Sequence, residues 1–399
     1  MPSDCRLSAL GLVNALGDDA ETVWKRLLEG QVTDALTQRD DFVVDRTLWV
    51  GAVTTPLPKI PASLAAYDCR NNAMALAALS QVEDAVRDAV QQFGAERVGV
   101  VMGTSTSGVS DAEIAIRRQL AGDGLDPSFD YAQLEFGGLA SFVAEILGTR
   151  GPAYAMSTAC SSGARALASA RSLLRLGVCD AVVAGAADTL CGLTTNGFSA
   201  LQALSPEPTN PCSVNRRGIT LGEGAAVFLV TRDGPGPALL GVGESSEAHH
   251  MSAPEPTGAG AEASMRGALA DAGLPSEAIG YLNLHGTGTP LNDRMECLAV
   301  DRVFGGALPV SSTKPLVGHT LGAAGAMEAA FCWLAVHQSR DAAAALPPHL
   351  WDGAADPELP TLHFVAPGES RDGASPLVAM TNSFGFGGNN CSLVLGTAE

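Results

Sequence analysis

Aromatic residues are scarce in this sequence, which has 12 Phe, 4 Tyr and 4 Trp among its 399 residues. Small and aliphatic side chains predominate, and this composition argues against a disordered or fibrous chain. A chain of this length can bury one large core or the cores of two fused domains. We therefore expect a packed α/β protein.

Long hydrophobic runs are also missing, and the first residues do not resemble a signal peptide. We expect a cytoplasmic protein without a membrane span. Positive charge is in deficit, with 24 Lys and Arg against 43 Asp and Glu, a net charge of −19. This charge argues against nucleic acid and anionic membranes as main partners. An acidic partner protein would need a local basic patch.

Paired cysteine motifs are absent as well. The nine cysteines are scattered and none forms a CxxC motif, so neither a disulfide framework nor a zinc site is predicted. We expect most of them to be small buried hydrophobic residues, and we expect no metal.

Short apolar runs alternate with alanine-rich stretches, which is typical of an α/β fold with a buried sheet. Strands are predicted over 97–103, 180–188, 225–231, 279–286 and 391–396, and helices over 71–93, 161–176, 261–272 and 322–337. The segment GPGPA near residue 234 divides the chain into halves 1–233 and 234–399. Weak internal similarity between TACSSGARALASA and GHTLGAAGAMEAA favours two similar halves.

Cys160 lies where an extended apolar segment gives way to a helical pattern. The unpaired N–H groups at a helix start favour a thiolate, so a nucleophile with a lowered pKa is one interpretation. The small residues Ser161, Ser162 and Gly163 leave room for a substrate. A buried structural cysteine is the other interpretation, and this segment alone leaves both open.

Two of the seven histidines occupy junctions of small residues. His285 closes an apolar strand and precedes a Gly/Thr loop, whereas His319 follows Lys314 by five residues and opens a helix that contains Glu328. A histidine at such a place can offer an N–H to a substrate. The alternatives are a satisfied surface or core histidine at 285 and an ordinary cap with a solvated ion pair in the second segment. The placement of only two of the seven histidines at such junctions favours a site.

The segment NSFGFGGNN, residues 382–390, combines glycines with Phe384 and Phe386 in a chain that has few aromatics. Its glycines permit positive φ and close backbone approach. The segment is either a glycine-rich hairpin turn or a mobile gate whose amide N–H joins that of Cys160 in an oxyanion hole.

Taken in order, these segments resemble the elongating β-ketoacyl-acyl-carrier-protein synthases of the thiolase-like superfamily. The resemblance covers nearly the whole chain and is closest to synthases of the aryl-polyene or xanthomonadin type. It implies a thiolase-like fold in which two duplicated halves form a layered α-β-α-β-α core.

The resemblance also implies a decarboxylative Claisen condensation. Cys160 would hold the acyl chain, and His285 and His319 would stabilise the enolate formed from malonyl-carrier protein. The amides of Cys160 and Phe386 would bind the oxyanion, while Lys314 and Glu328 would organise the site electrostatically.

Substrate contacts are implied for a second group of residues. Thr287 and Thr289 would hold the phosphopantetheine arm, which arrives on the carrier protein, so no further cofactor is expected. Phe384 and Ile219 would line the acyl pocket. The family is dimeric, so a homodimer or a heterodimer with a chain-length-factor-like subunit is expected.

The sequence departs from its relatives at NPCSVNRRGIT, where an Arg-Pro-Phe-Asp segment and a later Arg-Asp-Gly-Phe are common. Arg217 replaces an Asp and Ile219 replaces a Phe. The second arginine beside Arg216 is a candidate docking charge for an acidic carrier protein, and Arg70 is a further candidate. Exposed arginines are often merely solvated, which is the alternative.

Two rival functions share the fold. A chain-length-factor-like subunit lacks the active cysteine, and Cys160 argues against it. A coenzyme-A-dependent thiolase needs a second catalytic cysteine, for which Cys391 is the candidate, although the sequence predicts that it lies in a strand. Chain length and saturation of the substrate cannot be predicted.

Overall fold

The computed structural model describes residues 5–339, 344–371 and 376–397. The strands of these residues are β1 (Arg6–Val13), β2 (Thr37–Val43), β3 (Arg46–Gly51), β4 (Val98–Gly103), β5 (Ala153–Met156), β6 (Ala181–Asp188), β7 (Leu221–Gly222), β8 (Gly224–Thr231), β9 (Ala238–Ser246), β10 (Tyr281–Asn283), β11 (Pro309–Ser311), β12 (Ala344–Ala345), β13 (His363–Phe364), β14 (Ser370–Arg371), β15 (Ala379–Gly385) and β16 (Asn389–Gly396).

The α-helices are α1 (Ala20–Glu29), α2 (Val32–Ala35), α3 (Arg70–Leu79), α4 (Glu83–Phe93), α5 (Val109–Ala121), α6 (Tyr131–Leu134), α7 (Phe136–Leu147), α8 (Ser162–Arg175), α9 (Gly192–Ala200), α10 (Ala259–Ala272), α11 (Pro290–Phe304), α12 (Lys314–Val317) and α13 (Ala324–Gln338).

Eleven strands form one sheet system in the order β13-β11-β10-β15-β16-β9-β1-β8-β6-β4-β5. The strands β4, β6 and β8 are buried at every position, which explains why they appear in the sequence as continuous apolar runs. Within the part of the chain that the structure describes, one pairing, Arg6 with Ala238, joins β1 to β9 between the two halves.

The two halves have the same topology. If the five main strands of each half are numbered along the chain, their order in the sheet is 3-2-4-5-1 in both, β5-β4-β6-β8-β1 and β11-β10-β15-β16-β9. Five strands in a row make four neighbouring pairs. In each half the first two of these pairs are parallel and the last two are antiparallel. The proposed division at residue 233 falls between β8 and β9.

Helices α8 and α13 pack against each other between the two halves of the sheet system. All residues of α13 from Ala324 to Val336 are buried, which accounts for its nearly uniform apolar sequence. The helices approach closely because both carry glycine at the contact. A Cβ on Gly163 would lie 2.6 Å from the backbone nitrogen of Ala326, and one on Gly325 would lie 2.7 Å from that of Ala164.

The outer faces are covered by α3, α4 and α7 in the first half and by α10 and α11 in the second. The result is the layered α-β-α-β-α arrangement of the thiolase-like fold, as expected from the sequence. Among the described residues, no helix is long and apolar enough to cross a bilayer.

Two predicted elements are wrong in extent. The helix predicted over 71–93 is two helices, because the chain turns after Leu79 and the Gln81 side chain hydrogen bonds to the backbone of Leu12. The strand predicted over 279–286 ends at Asn283. Beyond it, the N–H groups of His285 and Gly286 donate to a helix side chain instead of a neighbouring strand.

Candidate active site

Cys160 lies four residues beyond β5 and just before α8, at the predicted junction of strand and helix. Its neighbour Ala159 has a φ of 53°, a left-handed conformation that costs energy for a residue with a Cβ. Because Gly163 brings the start of α8 against α13, this turn places the thiol at the interface of the two halves.

His319 reaches the same place from the second half of the chain. It follows Gly318, whose φ is 72°, at the end of the short helix α12. The N–H of His319 donates to the carbonyl oxygen of Thr220 at 2.7 Å, and the N–H of Gly222 donates to the carbonyl of His319 at 2.9 Å. This backbone pairing holds the imidazole beside Cys160, with Nε2 3.0 Å from the Cys160 sulfur.

His285 is positioned by Glu296 on α11. The two carboxylate oxygens of Glu296 accept hydrogen bonds from the backbone N–H groups of His285 and Gly286, at 2.8 and 2.7 Å. The His285 ring lies 5.3 Å from that of His319, edge to face, and 6.1 Å from the ring of Phe384. One ligand atom from each of Cys160, His285 and His319 lies within 4.8 Å of the others.

Lys314 and Glu328 form a buried ion pair behind the histidines, with side chains 1% and 2% exposed. The Lys314 ammonium donates to Glu328 and to the carbonyl oxygen of His285, and it lies 3.5 Å from His285 Nδ1. Because an ammonium only donates hydrogen bonds, this contact favours the tautomer of His285 that carries its proton on Nε2.

Both imidazoles are neutral at physiological pH. Burial, reinforced by the positive charge of Lys314, holds the pKa of His285 and of His319 well below the ordinary value of 6.5. Each neutral ring has one N–H to donate and one nitrogen that accepts. Burial also raises the pKa of Glu328 to about 7, although Lys314 opposes the rise.

The lowered pKa predicted for Cys160 is wrong. Burial raises the pKa of the thiol to about 11, and the opposing influences of Lys314 and of a hydrogen bond from the Phe386 backbone do not compensate for it. The helix start was visible in the sequence, whereas the loss of solvent around the sulfur was not. At neutral pH Cys160 is therefore a thiol, and a reaction at its sulfur would need a proton acceptor.

The glycine-rich segment lies directly against Cys160. The backbone N–H of Phe386 lies near enough to the Cys160 sulfur to oppose the rise of its pKa, and a Cβ on Gly385 would lie 3.3 Å from the backbone nitrogen of Cys160. The Phe386 ring is 38% exposed and packs 5.5 Å from the ring of Phe198 on α9. The backbone of Phe386 therefore lies beside Cys160, and the predicted oxyanion hole formed by their two amides stays a prediction.

A pocket of about 290 Å³ opens onto the thiol and both imidazoles. Its walls include the predicted substrate residues Ile219, Thr287, Thr289 and Phe384, and Arg217 lies among its lining residues. The hydroxyls of Thr287 and Thr289 are 3.0 Å apart. The structure therefore brings together residues from five segments that are separate in the sequence.

Comparison with known families decides what kind of protein carries this pocket. The beta-ketoacyl synthase N-terminal domain matches residues 7–234, and the beta-ketoacyl synthase C-terminal domain matches residues 238–346. The chain belongs to the β-ketoacyl synthase family. As a β-ketoacyl synthase it is an acyltransferase, and it catalyses a Claisen condensation of substrates bound to acyl-carrier protein in fatty-acid or polyketide synthesis.

Individual relatives match the sequence of this synthase over nearly its whole length. It is 32% identical to nodulation protein E of Rhizobium meliloti (strain 1021) over 97% of each chain. It is 31% identical to 3-oxoacyl-[acyl-carrier-protein] synthase 2 of Staphylococcus aureus, over 97% of this chain and 99% of the relative.

Among solved structures, the synthase is similar to the ketosynthase ApeO of Xenorhabdus doucetiae, determined in complex with its chain length factor ApeC. The TM-score is 0.94 with 42% sequence identity, covering 99% of this chain and 98% of that one. The TM-score against a β-ketoacyl synthase of Burkholderia phymatum STM815 is 0.86, with 28% identity and complete coverage of both chains.

The structure contradicts one of the three docking arginines predicted from the sequence, and the roles of the other two stay predictions. The Arg216 side chain is 8% exposed and pairs with Asp356 at 2.5 Å, so the prediction that it is an exposed docking charge is wrong. Arg70 donates to both carboxylate oxygens of Glu223 and lines a different cavity from the synthase pocket. Arg217 is exposed at the pocket, and its docking role stays a prediction.

The sequence interpretation missed Glu296, the residue that holds the backbone of His285. It lies three residues after Asp293 on α11, and both carboxylates are buried. Two acidic residues on the inner face of a helix are the signal that could have found them, because buried carboxylates need partners. Cys391, the candidate second cysteine of a thiolase, is buried in β16 and is not among the residues that line the pocket.

Proposed function

We propose that Cys160 is the residue that carries the acyl chain. The supporting observation is the distance of 3.0 Å between its sulfur and His319 Nε2. A thiol with a raised pKa reacts as a nucleophile when a base takes its proton, and His319 is neutral and correctly placed. The sulfur attacks the thioester of acyl-carrier protein, and His319 passes the proton to the departing phosphopantetheine thiol.

The histidines then take up the malonyl unit. Loss of carbon dioxide leaves an enolate whose negative charge lies on the former thioester oxygen. His285 donates a hydrogen bond to this oxygen through its Nε2–H. His319 donates as well once its remaining proton has moved from Nδ1 to Nε2, the nitrogen beside Cys160, and neutral donors suit the step because no base is required. Lys314 supports it by holding the donor tautomer of His285, with Glu328 balancing its charge.

Carbon–carbon bond formation uses the backbone. The enolate carbon attacks the carbonyl of the acyl-Cys160 thioester, and the resulting oxyanion lies between the amides of Cys160 and Phe386. The carbon–sulfur bond then breaks, and the β-ketoacyl chain leaves on the carrier protein. Loss of one such donor typically costs about 2.7–4 kcal/mol of transition-state stabilisation.

The phosphopantetheine arm is the substrate part that must cross the pocket. Thr287 and Thr289 present adjacent hydroxyls along this route, and Ile219 and Phe384 supply apolar surface. Arg217 is the exposed cation at the pocket and suits an acidic carrier protein.

We also propose that the synthase works with a second subunit. Strand β5 is the last strand of the sheet, and the segment containing α5–α7 exposes large apolar side chains. Leu120 is 82% exposed, Tyr131 71% and Ile114 59%. Such a patch beside an open sheet edge favours a protein interface. The 42% identity to a ketosynthase bound to its chain length factor favours a heterodimer.

The biosynthetic pathway and the cellular location of the synthase go beyond the reaction itself. An aryl-polyene-type pathway and a cytoplasmic location, both expected from the sequence, stay proposals. The carrier-bound phosphopantetheine is a substrate group in this mechanism, which uses only residues of this chain.

The proposal is tested by incubating the protein with acyl- and malonyl-carrier protein, alone and with a chain-length-factor partner. We expect carbon dioxide and a β-ketoacyl-carrier protein as products, with the rate depending on the acyl chain supplied from a panel. A reaction of acyl-coenzyme A with acetyl-coenzyme A, without carbon dioxide, would support a thiolase and contradict the proposal.

A further inference from the structure

The catalytic residues have a second chemical property, which is that they form a set of metal ligands. One thiol and two imidazoles offer ligand atoms that all lie within 4.8 Å of one another. Sulfur and imidazole nitrogen are the donors that Zn²⁺ prefers, whereas Mg²⁺ and Ca²⁺ prefer oxygen. The usual function of these residues does not require a metal, so this property goes beyond the condensation reaction.

The distances suit tetrahedral zinc after small movements. Zinc binds thiolate sulfur at about 2.3 Å and imidazole nitrogen at about 2.0–2.1 Å, so neighbouring ligand atoms are roughly 3.3–3.6 Å apart. Cys160 Sγ and His319 Nε2 are 3.0 Å apart and need to separate slightly. The His285 ligand atom needs to move inward by about an ångström, which the side-chain torsions of a histidine can provide.

The pocket supplies the two remaining requirements, a path of entry and a fourth ligand. All three residues line the open cavity of about 290 Å³, which is large enough for water at the fourth coordination position. Three protein ligands and one exchangeable water are the arrangement of catalytic zinc sites, in contrast to structural sites with four protein ligands.

We propose that Cys160, His285 and His319 reversibly bind one Zn²⁺ ion, which blocks the nucleophile. On binding, the Cys160 thiol releases its proton to solvent and the sulfur becomes a zinc ligand. His319 donates the lone pair of Nε2 and keeps its proton on Nδ1. His285 must move its proton from Nε2 to Nδ1, beside the Lys314 ammonium, before Nε2 can bind the ion, which weakens the site. The sulfur can then no longer attack a thioester, so the ion and the acyl donor compete for the same atom.

The surroundings make this an exchangeable ion and not a resident one. Histidine ligands of resident zinc usually donate their other N–H to a carboxylate or carbonyl. Here Lys314 Nζ lies 3.5 Å from His285 Nδ1, and His319 Nδ1 has no hydrogen-bond partner among the described residues. Neither ring is supported as a metal ligand, so we expect weaker binding than in a dedicated zinc enzyme.

The test uses Co²⁺ as a spectroscopic substitute for Zn²⁺, on the full-length protein without substrate. We expect one equivalent of Co²⁺ to give a sulfur-to-cobalt charge-transfer band together with the intense visible bands of tetrahedral cobalt. Added Zn²⁺ should remove both, and Mg²⁺ should not. Removing a protein ligand should weaken binding by more than about 100-fold, since losing only a hydrogen-bond partner of a metal ligand already costs about 10–100-fold.

Matched variants show which residues produce the cobalt spectrum. Cys160→Ala and His319→Asn should lose the cobalt spectrum, whereas Cys69→Ala, which removes another buried cysteine outside the pocket, should keep it. Unchanged Co²⁺ binding in Cys160→Ala, or no tetrahedral spectrum in the folded wild type, would overturn the proposal. Since the readout is optical, the metal site can fail while malonyl decarboxylation proceeds, and that result leaves the proposed function intact.

Discussion

The buried pair of Lys314 and Glu328 allows a quantitative prediction about stability. Lys314→Met removes the only cation that contacts Glu328 among the described residues, and it leaves a carboxylate that is 2% exposed. Removing one partner of a buried ion pair costs about 3–5 kcal/mol when the remaining charge stays ionised. We therefore expect the free energy of unfolding to fall by about this amount at alkaline pH.

The pH dependence makes the prediction specific. The pKa of Glu328 is already raised to about 7 by burial, and Lys314 opposes that rise, so its removal raises the pKa further. A carboxyl with a raised pKa in the folded state stabilises the protein below its unfolded pKa, and this stability is lost as pH rises through the folded pKa. In the wild type this loss ends near pH 7, whereas in Lys314→Met it continues above pH 7 by about 1.4 kcal/mol per pH unit.

The assay is chemical denaturation of wild type, Lys314→Met, Glu328→Gln and the double variant at pH 6 and pH 9. The difference between Lys314→Met and wild type should be larger at pH 9, and adding Glu328→Gln should remove that pH dependence. An equal loss of stability at both pH values, or a pH dependence that survives in the double variant, would refute the reasoning.

Three further predictions concern catalysis. His285→Ala should slow malonyl decarboxylation by about 10²–10³-fold through the loss of one oxyanion donor while keeping acylation of the enzyme, as measured by carbon dioxide release and protein mass; a parallel loss of acylation would contradict the separate role. Gly385→Ala should slow condensation, because a Cβ would lie 2.9 Å from the backbone oxygen of Thr158, two residues before Cys160. The control is Gly137→Ala, whose Cβ meets nothing within 4 Å, and it should match the wild type in steady-state rate. Arg217→Glu should raise KM for malonyl-carrier protein by about 5-fold at low salt, while Arg87→Glu on the surface helix α4 leaves KM unchanged; equal effects of the two substitutions would exclude a docking role.

Much of the site was predictable because its residues lie in local patterns. Cys160 and His319 each stand a few residues before a glycine in a helix of small side chains. Only small residues let α8 and α13 approach closely. The same run of small residues that predicts these helices therefore also brings Cys160 and His319 together. The apolar runs of β4, β6 and β8 were visible for a similar reason, since their burial on both faces requires continuous hydrophobic sequence.

What the sequence did not indicate depends on partners that are distant along the chain. Arg216 is paired with Asp356, 140 residues away. Of the two neighbouring arginines that resembled a docking site, the Arg216 side chain is therefore buried and only Arg217 is exposed. The pKa of Cys160 rises because many segments together exclude water from it, and no local pattern records that burial. Glu296 acts on His285 through backbone contacts formed only after α11 has packed.

The most direct test of the central claim is the intact mass of the protein after incubation with acyl-carrier protein. We predict that the wild type gains the mass of one acyl group, which peptide mapping places on Cys160, and that Cys160→Ala gains none. An acyl group that still appears on the Cys160→Ala protein, or that maps to another cysteine in the wild type, would contradict the claim.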